Sequence, residues 1–158
     1  MDLIEFKKEI IILSKDDAAL TRKKYIKTFI NTQKDYYIKN IEALNECIDG
    51  YCYNGYLWDC FVSPALTEEA YIWDKLKRLD YVFVLWDIHS CEKIFIKDYW
   101  KFDKDDVIKL SPQILSNGLN NLPEDIYIFD KTFKWSFALT HEYIDCSRFC
   151  LKVGDIDV

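Results

Sequence analysis

Residues 125–140, DIYIFDKTFKWSFALT, constrain this chain more than any other stretch. Two runs rich in β-branched and aromatic residues flank a short polar break, the pattern of two antiparallel strands, 125–130 and 133–140, joined by a turn. Side chains alternate across a strand, so Phe133, Trp135, Phe137 and Leu139 share one face and Lys134, Ser136 and Ala138 the other. The first face is the core side of the ribbon. Continued straight, the strand carries His141 inward with Trp135 and turns Thr140 and Glu142 the opposite way. Adjacent His and Glu then do not converge on one atom, which argues against an acid–base dyad made of these two alone.

A second apolar run, YVFVLWDI at 81–88, shows little polar alternation and reads as a central strand covered on both faces. The following HSCE reads as a turn, and KIFIKD (93–98) as a strand pairing back, giving a first hairpin to match the second. The rest of the chain is more helical. EIIIL at 9–13 is a short strand after a helical turn, and Ser14 or Asp16 caps a helix over 16–31 with Ala19, Ile26, Phe29 and Ile30 as its apolar stripe. Tyr37, Ile41, Leu44 and Ile48 recur at helical spacing over 34–48, and Gly50 and Gly55 break that segment. Thr67 caps a third helix that runs to Leu79 and buries Ile72, Trp73, Leu76 and Leu79. Asp103 and Asp106 open a short helix over 103–110, Pro112 interrupts it, NGLNNLP is a loop, and the tail from Cys146 adds an edge segment. The expectation is an α+β fold, a single domain over 1–158, with N-terminal helices packed on one face of an antiparallel sheet built from two hairpins.

Composition supports a self-sufficient core. Half of the 158 residues are hydrophobic, with 5 Trp, 11 Tyr and 10 Phe, and only 4 Gly and 3 Pro. A chain of this length buries roughly 70% of its unfolded surface and needs no disulfide or metal to fold. The formal charge of −6 opposes phosphate binding, and Arg22-Lys23-Lys24 with Lys27 reads as a solvated helix face, so no nucleic-acid partner is expected. Charged residues interrupt the N-terminus, and no run approaches the ~20 apolar residues of a membrane span. Cys47, Cys52, Cys60, Cys91, Cys146 and Cys150 form no CxxC pair, and in the expected cytoplasmic setting they are reduced thiols.

Motifs for chemistry are sparse. The chain lacks GxSxG, the P-loop, GxGxxG and HExxH, and no cofactor is expected. His141 with Cys146 and Cys150, and His89 with Cys91, have no recognised zinc spacing. Asp103, Asp105 and Asp106 resemble a cation cluster but sit where helix capping explains them. His141 itself has two readings: it closes the end of the core on a carbonyl or carboxylate partner, or it lines a pocket at the strand end.

In order along the chain, GYLWDCF, YVFVLWD, the acidic segment 103–106 and DIYIFDKTFKWSFALTHE resemble a bacterial domain-of-unknown-function family, DUF4275. The residues that carry the resemblance are Gly55, Leu57 and Trp58, then Asp125, Tyr127, Asp130, Phe133 and Trp135, then Thr140, His141 and Glu142. Ser136 stands where the family pattern often has Thr, and Ser147-Arg148-Phe149 replaces its Gly-Pro-Tyr-Phe-like tail. The resemblance implies a shared architecture over about 50–145 and no established activity. Two function classes follow. The first is a non-catalytic cytoplasmic module that binds a protein partner of basic surface, with an immunity-type inhibitor as its most specific form. The second is a small hydrolase or ligand-binding domain with a pocket around His141 and Glu142. In either, Trp58, Asp59, Thr140, His141 and Glu142 are the candidate contact residues.

Overall fold

The computed structural model describes residues 1–90 and 100–156. Its elements are α1 (Leu3–Glu9), β1 (Ile11–Ile12), α2 (Lys15–Phe29), α3 (Asp35–Tyr37) running into a π-helical turn at Ile38–Glu42, β2 (Asn45–Cys47) and β3 (Gly50–Cys52). A 3₁₀ turn at Leu57–Cys60 leads to β4 (Ala65–Thr67), α4 (Glu69–Leu76), β5 (Val82–Trp86), β6 (Ile108–Leu110) and α5 (Pro112–Gly118). A second 3₁₀ turn at Leu119–Asn121 precedes β7 (Ile126–Phe129), β8 (Ser136–Ile144) and β9 (Ser147–Val153). The chain is therefore α+β, with a seven-stranded sheet in the order β1-β6-β5-β7-β8-β9-β4 and a separate β2–β3 ribbon. Among the described residues every ladder is antiparallel.

The 81–88 run does supply a central strand, since β5 lies between β6 and β7. The partner expected for it at 93–98 lies outside the described residues. The second hairpin forms as β7 and β8, in register from Ile126↔Leu139 to Phe129↔Ser136. The tail is not an edge: β9 sits between β8 and β4 and pairs with both.

The expectation of a single covered face needs correction. Ile126 and Ile128 of β7 join one core with Phe6, Ile72, Leu76, Leu115, Trp135 and Phe137. Tyr127 and Phe129 of the same strand join another with Tyr25, Phe29, Ile41, Leu57 and Phe61. Alternation puts these on opposite faces, so α1, α4 and α5 cover one side of the sheet and α2 with the first 3₁₀ turn covers the other. Ser136 and Ala138, assigned above to the non-core face, are accordingly buried.

Three helical expectations change for identifiable reasons. In α2, Ser14 caps as expected, accepting from Asp17 N, but the buried stripe is Ala18, Arg22, Tyr25 and Phe29 rather than one containing Ala19. Polar tips hide that stripe from a hydropathy pattern: the Tyr25 hydroxyl lies 2.6 Å from Ser136 Oγ, and Arg22 is saturated as described below. The 34–48 helix ends at Glu42, and Leu44 and Ile48 face solvent. Gly50, at φ 103°, opens β3 of the β2–β3 hairpin, and Cys47 and Cys52 are joined across it as a disulfide. That pairing corrects the expectation of thiols at these two positions and removes them from the case for a cytoplasmic location. Residues 103–110 form a turn and then β6, not a helix, while Pro112 begins α5 behind a Ser111 cap. Among the described residues, no helix is long and apolar enough to cross a membrane.

Candidate functional site

One end of the sheet is organised by a buried carboxylate. Asp87 follows the last residue of β5 and is buried. Its Oδ1 accepts from the Tyr53 hydroxyl at 2.8 Å and from Leu57 N at 3.0 Å, and its Oδ2 accepts from the Tyr127 hydroxyl at 2.7 Å. The Tyr127 oxygen in turn accepts from Trp58 N at 3.1 Å. A buried carboxylate is tolerated only when its lone pairs are filled, and here the filling groups fix the 3₁₀ turn that carries Trp58. Desolvation pushes the Asp87 carboxyl up to about 6, against the opposing pull of His89 and the three donors. Burial likewise raises the Tyr53 and Tyr127 phenols well above their ordinary values.

Arg22 is the neighbouring buried cation. Its guanidinium donates to the carbonyls of Trp86, Lys104, Asp105 and Asp106 at 2.8–3.0 Å. It therefore belongs to the interior and not to a basic surface patch. Of the remaining lysines, Lys24 lies over the Phe133 ring, 4.2 Å from its centroid.

His141 sits where β8 departs from regular pairing. The β8–β9 register runs to Leu139↔Cys150 and resumes at Tyr143↔Arg148, so Thr140, His141 and Glu142 stand opposite Phe149 alone. Such a bulge redirects side chains. Leu139 faces the α1/α4/α5 core, whereas the His141 ring lies 5.0 Å from that of Tyr56, which packs against the other core. The straight-strand expectation, with His141 beside Trp135, is thus corrected; Trp135 itself is buried as expected.

Asp125 holds the bulge. Both its oxygens lie 3.0 Å from His141 Nδ1, and Oδ1 also accepts from His141 N and from Trp58 Nε1 at 3.2 Å. An ionised carboxylate only accepts, so Nδ1 carries the proton and Nε2 is the basic atom of the neutral ring. Burial works against the charged imidazole, but the hydrogen bond and charge of Asp125, with Glu142 and Glu124, outweigh it and raise the pKa above 6.5. Thr140 is fully buried; its hydroxyl donates to Phe149 O at 2.7 Å and accepts from Glu142 N at 3.2 Å. Arg148 closes the base, donating to Thr140 O at 2.6 Å and to Glu124 O at 2.5 Å.

Of the five candidate residues, the structure brings Trp58 and His141 together, through Asp125. Thr140 belongs to the same bulge but spends its hydroxyl on the backbone. Glu142 is exposed and Asp59 is turned toward the Tyr36 hydroxyl. Among the described residues, no Ser, Thr or Cys side chain is hydrogen-bonded to the His141 ring. Clefts of about 300 and 110 Å³ open elsewhere, the first beside Trp73, Lys77 and Pro112, the second beside Asp130, Lys134 and Trp135.

The other clusters are accounted for internally. Asp103, Asp105 and Asp106 do gather their oxygens within 4.8 Å of one another, but Lys15 Nζ stands among them at 2.7, 2.8 and 3.0 Å. The ammonium is their cation, and its pKa rises above the usual lysine range in consequence. Cys150 is buried in β9 and Cys146 is exposed at the β8–β9 turn; Cys91 lies outside the described residues.

The reading of residues alone missed Asp87 and passed over Asp125 as a strand end. A lone acid closing an otherwise apolar run, as in YVFVLWDI, was the available signal for the first: such an acid is either at the surface or a hub. No protein-family model, curated protein or solved structure matches this chain.

Proposed function

We propose that this chain is a non-catalytic protein-binding module, with an immunity-type inhibitor as the most specific form of that reading and a partner of basic surface. The observation that supports it most is how His141 is used. Its Nδ1 and backbone N are both held by Asp125, and this clamp, with Arg148, braces the base of a hairpin whose outer residues, Glu142 to Ser147, are all exposed. The residues that carry the resemblance to DUF4275 include Trp58, Asp125, Tyr127, Thr140 and His141, so a shared architecture in that family would preserve the Asp125–His141 clamp, though not Arg148, which stands in the segment that departs from the family tail. The acidic balance of −6 favours encounter with a basic partner.

The reading is tested by affinity capture with the wild-type chain and with Tyr143→Ser/Ile144→Asp, a pair of exposed positions. A protein retained by the first and lost by the second, with unchanged circular dichroism, supports it. Identical captures, or none, overturn it. The hydrolase or ligand-pocket reading keeps one observation in its favour, the protonated Nδ1 on a carboxylate that leaves Nε2 as a general base. It predicts that His141→Ala abolishes turnover of an ester or amide substrate while leaving partner capture intact.

A further inference from the structure

Among the described residues, the ribbon above the brace is an arm with no neighbours in the sheet. The β7–β8 ladder ends at Ile126↔Leu139 and the β4–β9 ladder ends at Thr67↔Cys150. Beyond those pairs, among the described residues, β8 and β9 have only each other, through Tyr143↔Arg148 and Ile144↔Ser147. Asp145 and Cys146 close the arm with φ of 48° and 64°, the two positive values of a type I′ turn. At ~3.3 Å per residue, Thr140 to Ile144 reaches about 13 Å.

Consecutive strand residues point to opposite faces, so Tyr143 and Ile144 occupy the two sides of the arm. They are 65% and 56% exposed. An arm folded back on its own body would hide one of them, and a flat partner would also cover only one. The exposed charges beside them, Glu142 and Asp145, are both acidic, and Arg148 is turned back onto the carbonyls of Thr140 and Glu124.

We propose that the arm is a wedge that enters a cleft of the partner protein, a cleft with apolar walls against Tyr143 and Ile144 and a rim of Lys or Arg opposite Glu142 and Asp145. This rests on the binding-module reading and names its partner's shape and charge. A second copy of the chain would bring like-charged arms together, and nucleic acid would set phosphates against carboxylates. The brace at Thr140, His141 and Arg148 fixes the arm before binding, so little ordering entropy is lost when it docks.

The test places p-benzoylphenylalanine at position 143 or 144 of the full chain, one at a time, in its native host, and maps the photo-adducts by mass spectrometry. The wedge predicts that both positions mark one polypeptide at two different segments, each near Lys or Arg. It also predicts that Glu142→Lys/Asp145→Lys lowers both yields by about tenfold. Protein adducts from one position only, adducts to a second copy, or yields indifferent to charge reversal overturn the wedge and leave the binding reading standing. Absence of any protein adduct from either position overturns both.

Discussion

Asp87→Asn probes the buried hub directly. In the wild type the carboxyl titrates at about 6 in the folded chain against an ordinary 3.8, because burial penalises the charge more than His89 and the three donors favour it. A folded pKa raised above the unfolded one means that the native state holds its proton longer. This group therefore stabilises most below pH 3.8, and the contribution is lost as pH rises through about 6. A gap of about 2 pH units is worth about 3 kcal/mol, at 1.36 kcal/mol per unit. Asparagine cannot titrate, so the stability difference between variant and wild type should shift by about 2 kcal/mol of that, in favour of the variant, between pH 4 and pH 7, the remainder lying below pH 4.

Urea unfolding followed by tryptophan fluorescence at unit steps from pH 4 to 7 measures that difference, with equal m-values as the check that both proteins unfold alike. Asp105, which Lys15 holds below the usual carboxylate range, acts in the opposite sense, with stability lost as pH falls below about 4, and is common to both proteins. The offset at pH 4 should favour the wild type, since an amide NH₂ replaces the acceptor used by the Tyr127 hydroxyl and leaves it unmatched, at ~1–2 kcal/mol. Parallel curves across the range would refute the assignment of Asp87 as a desolvated carboxylate.

Two further outcomes are expected. Asp125→Asn should lower the His141 pKa measured by NMR, because the carboxylate is what holds it above 6.5; in the wild type this pair stabilises fully below 6.5 and less as pH rises through the raised value, and an unchanged titration would count against the brace. Gly154→Ala should destabilise by more than ~1 kcal/mol in thermal or urea unfolding, since Gly154 has φ 69° and an added Cβ would lie 2.0 Å from Lys134 O; a neutral result would mean that the β9 end is placed otherwise.

The fold was readable where residues act locally. Periodicity exposed β5, β7, β8 and the buried Ile72 and Leu76 of α4, and Ser14 announced α2, because strand alternation and caps depend on near neighbours. Thr67, the expected cap of a helix to Leu79, belongs instead to β4, and α4 runs only from Glu69 to Leu76. Periodicity failed where distant partners decide. Arg22 and Tyr25 look like surface residues of a basic helix, yet the carbonyls of Lys104 to Asp106 and the Ser136 hydroxyl bury them. Segment 43–48 continues a helical pattern, yet the β2–β3 hairpin takes it.

The site shows the same division more sharply. Thr140-His141-Glu142 marks the right place, but the period-2 rule sends His141 to the wrong face. The bulge that redirects it depends on Arg148 and Phe149 on the returning strand and on Asp125 before β7, contacts 8 to 16 residues away. The bulge makes the imidazole a neighbour of Trp58, and Trp58, tied through Tyr127 to Asp87, connects the arm to the buried hub. A change at Asp87 should therefore reach the arm through the Trp58 turn, whereas a change at Trp135, on the opposite face of the sheet, has no hydrogen-bonded route to it among the described residues. Partner binding that responds to Asp87→Asn but not to an equally destabilising core substitution on the Trp135 face would be the signature of that one-sided connection.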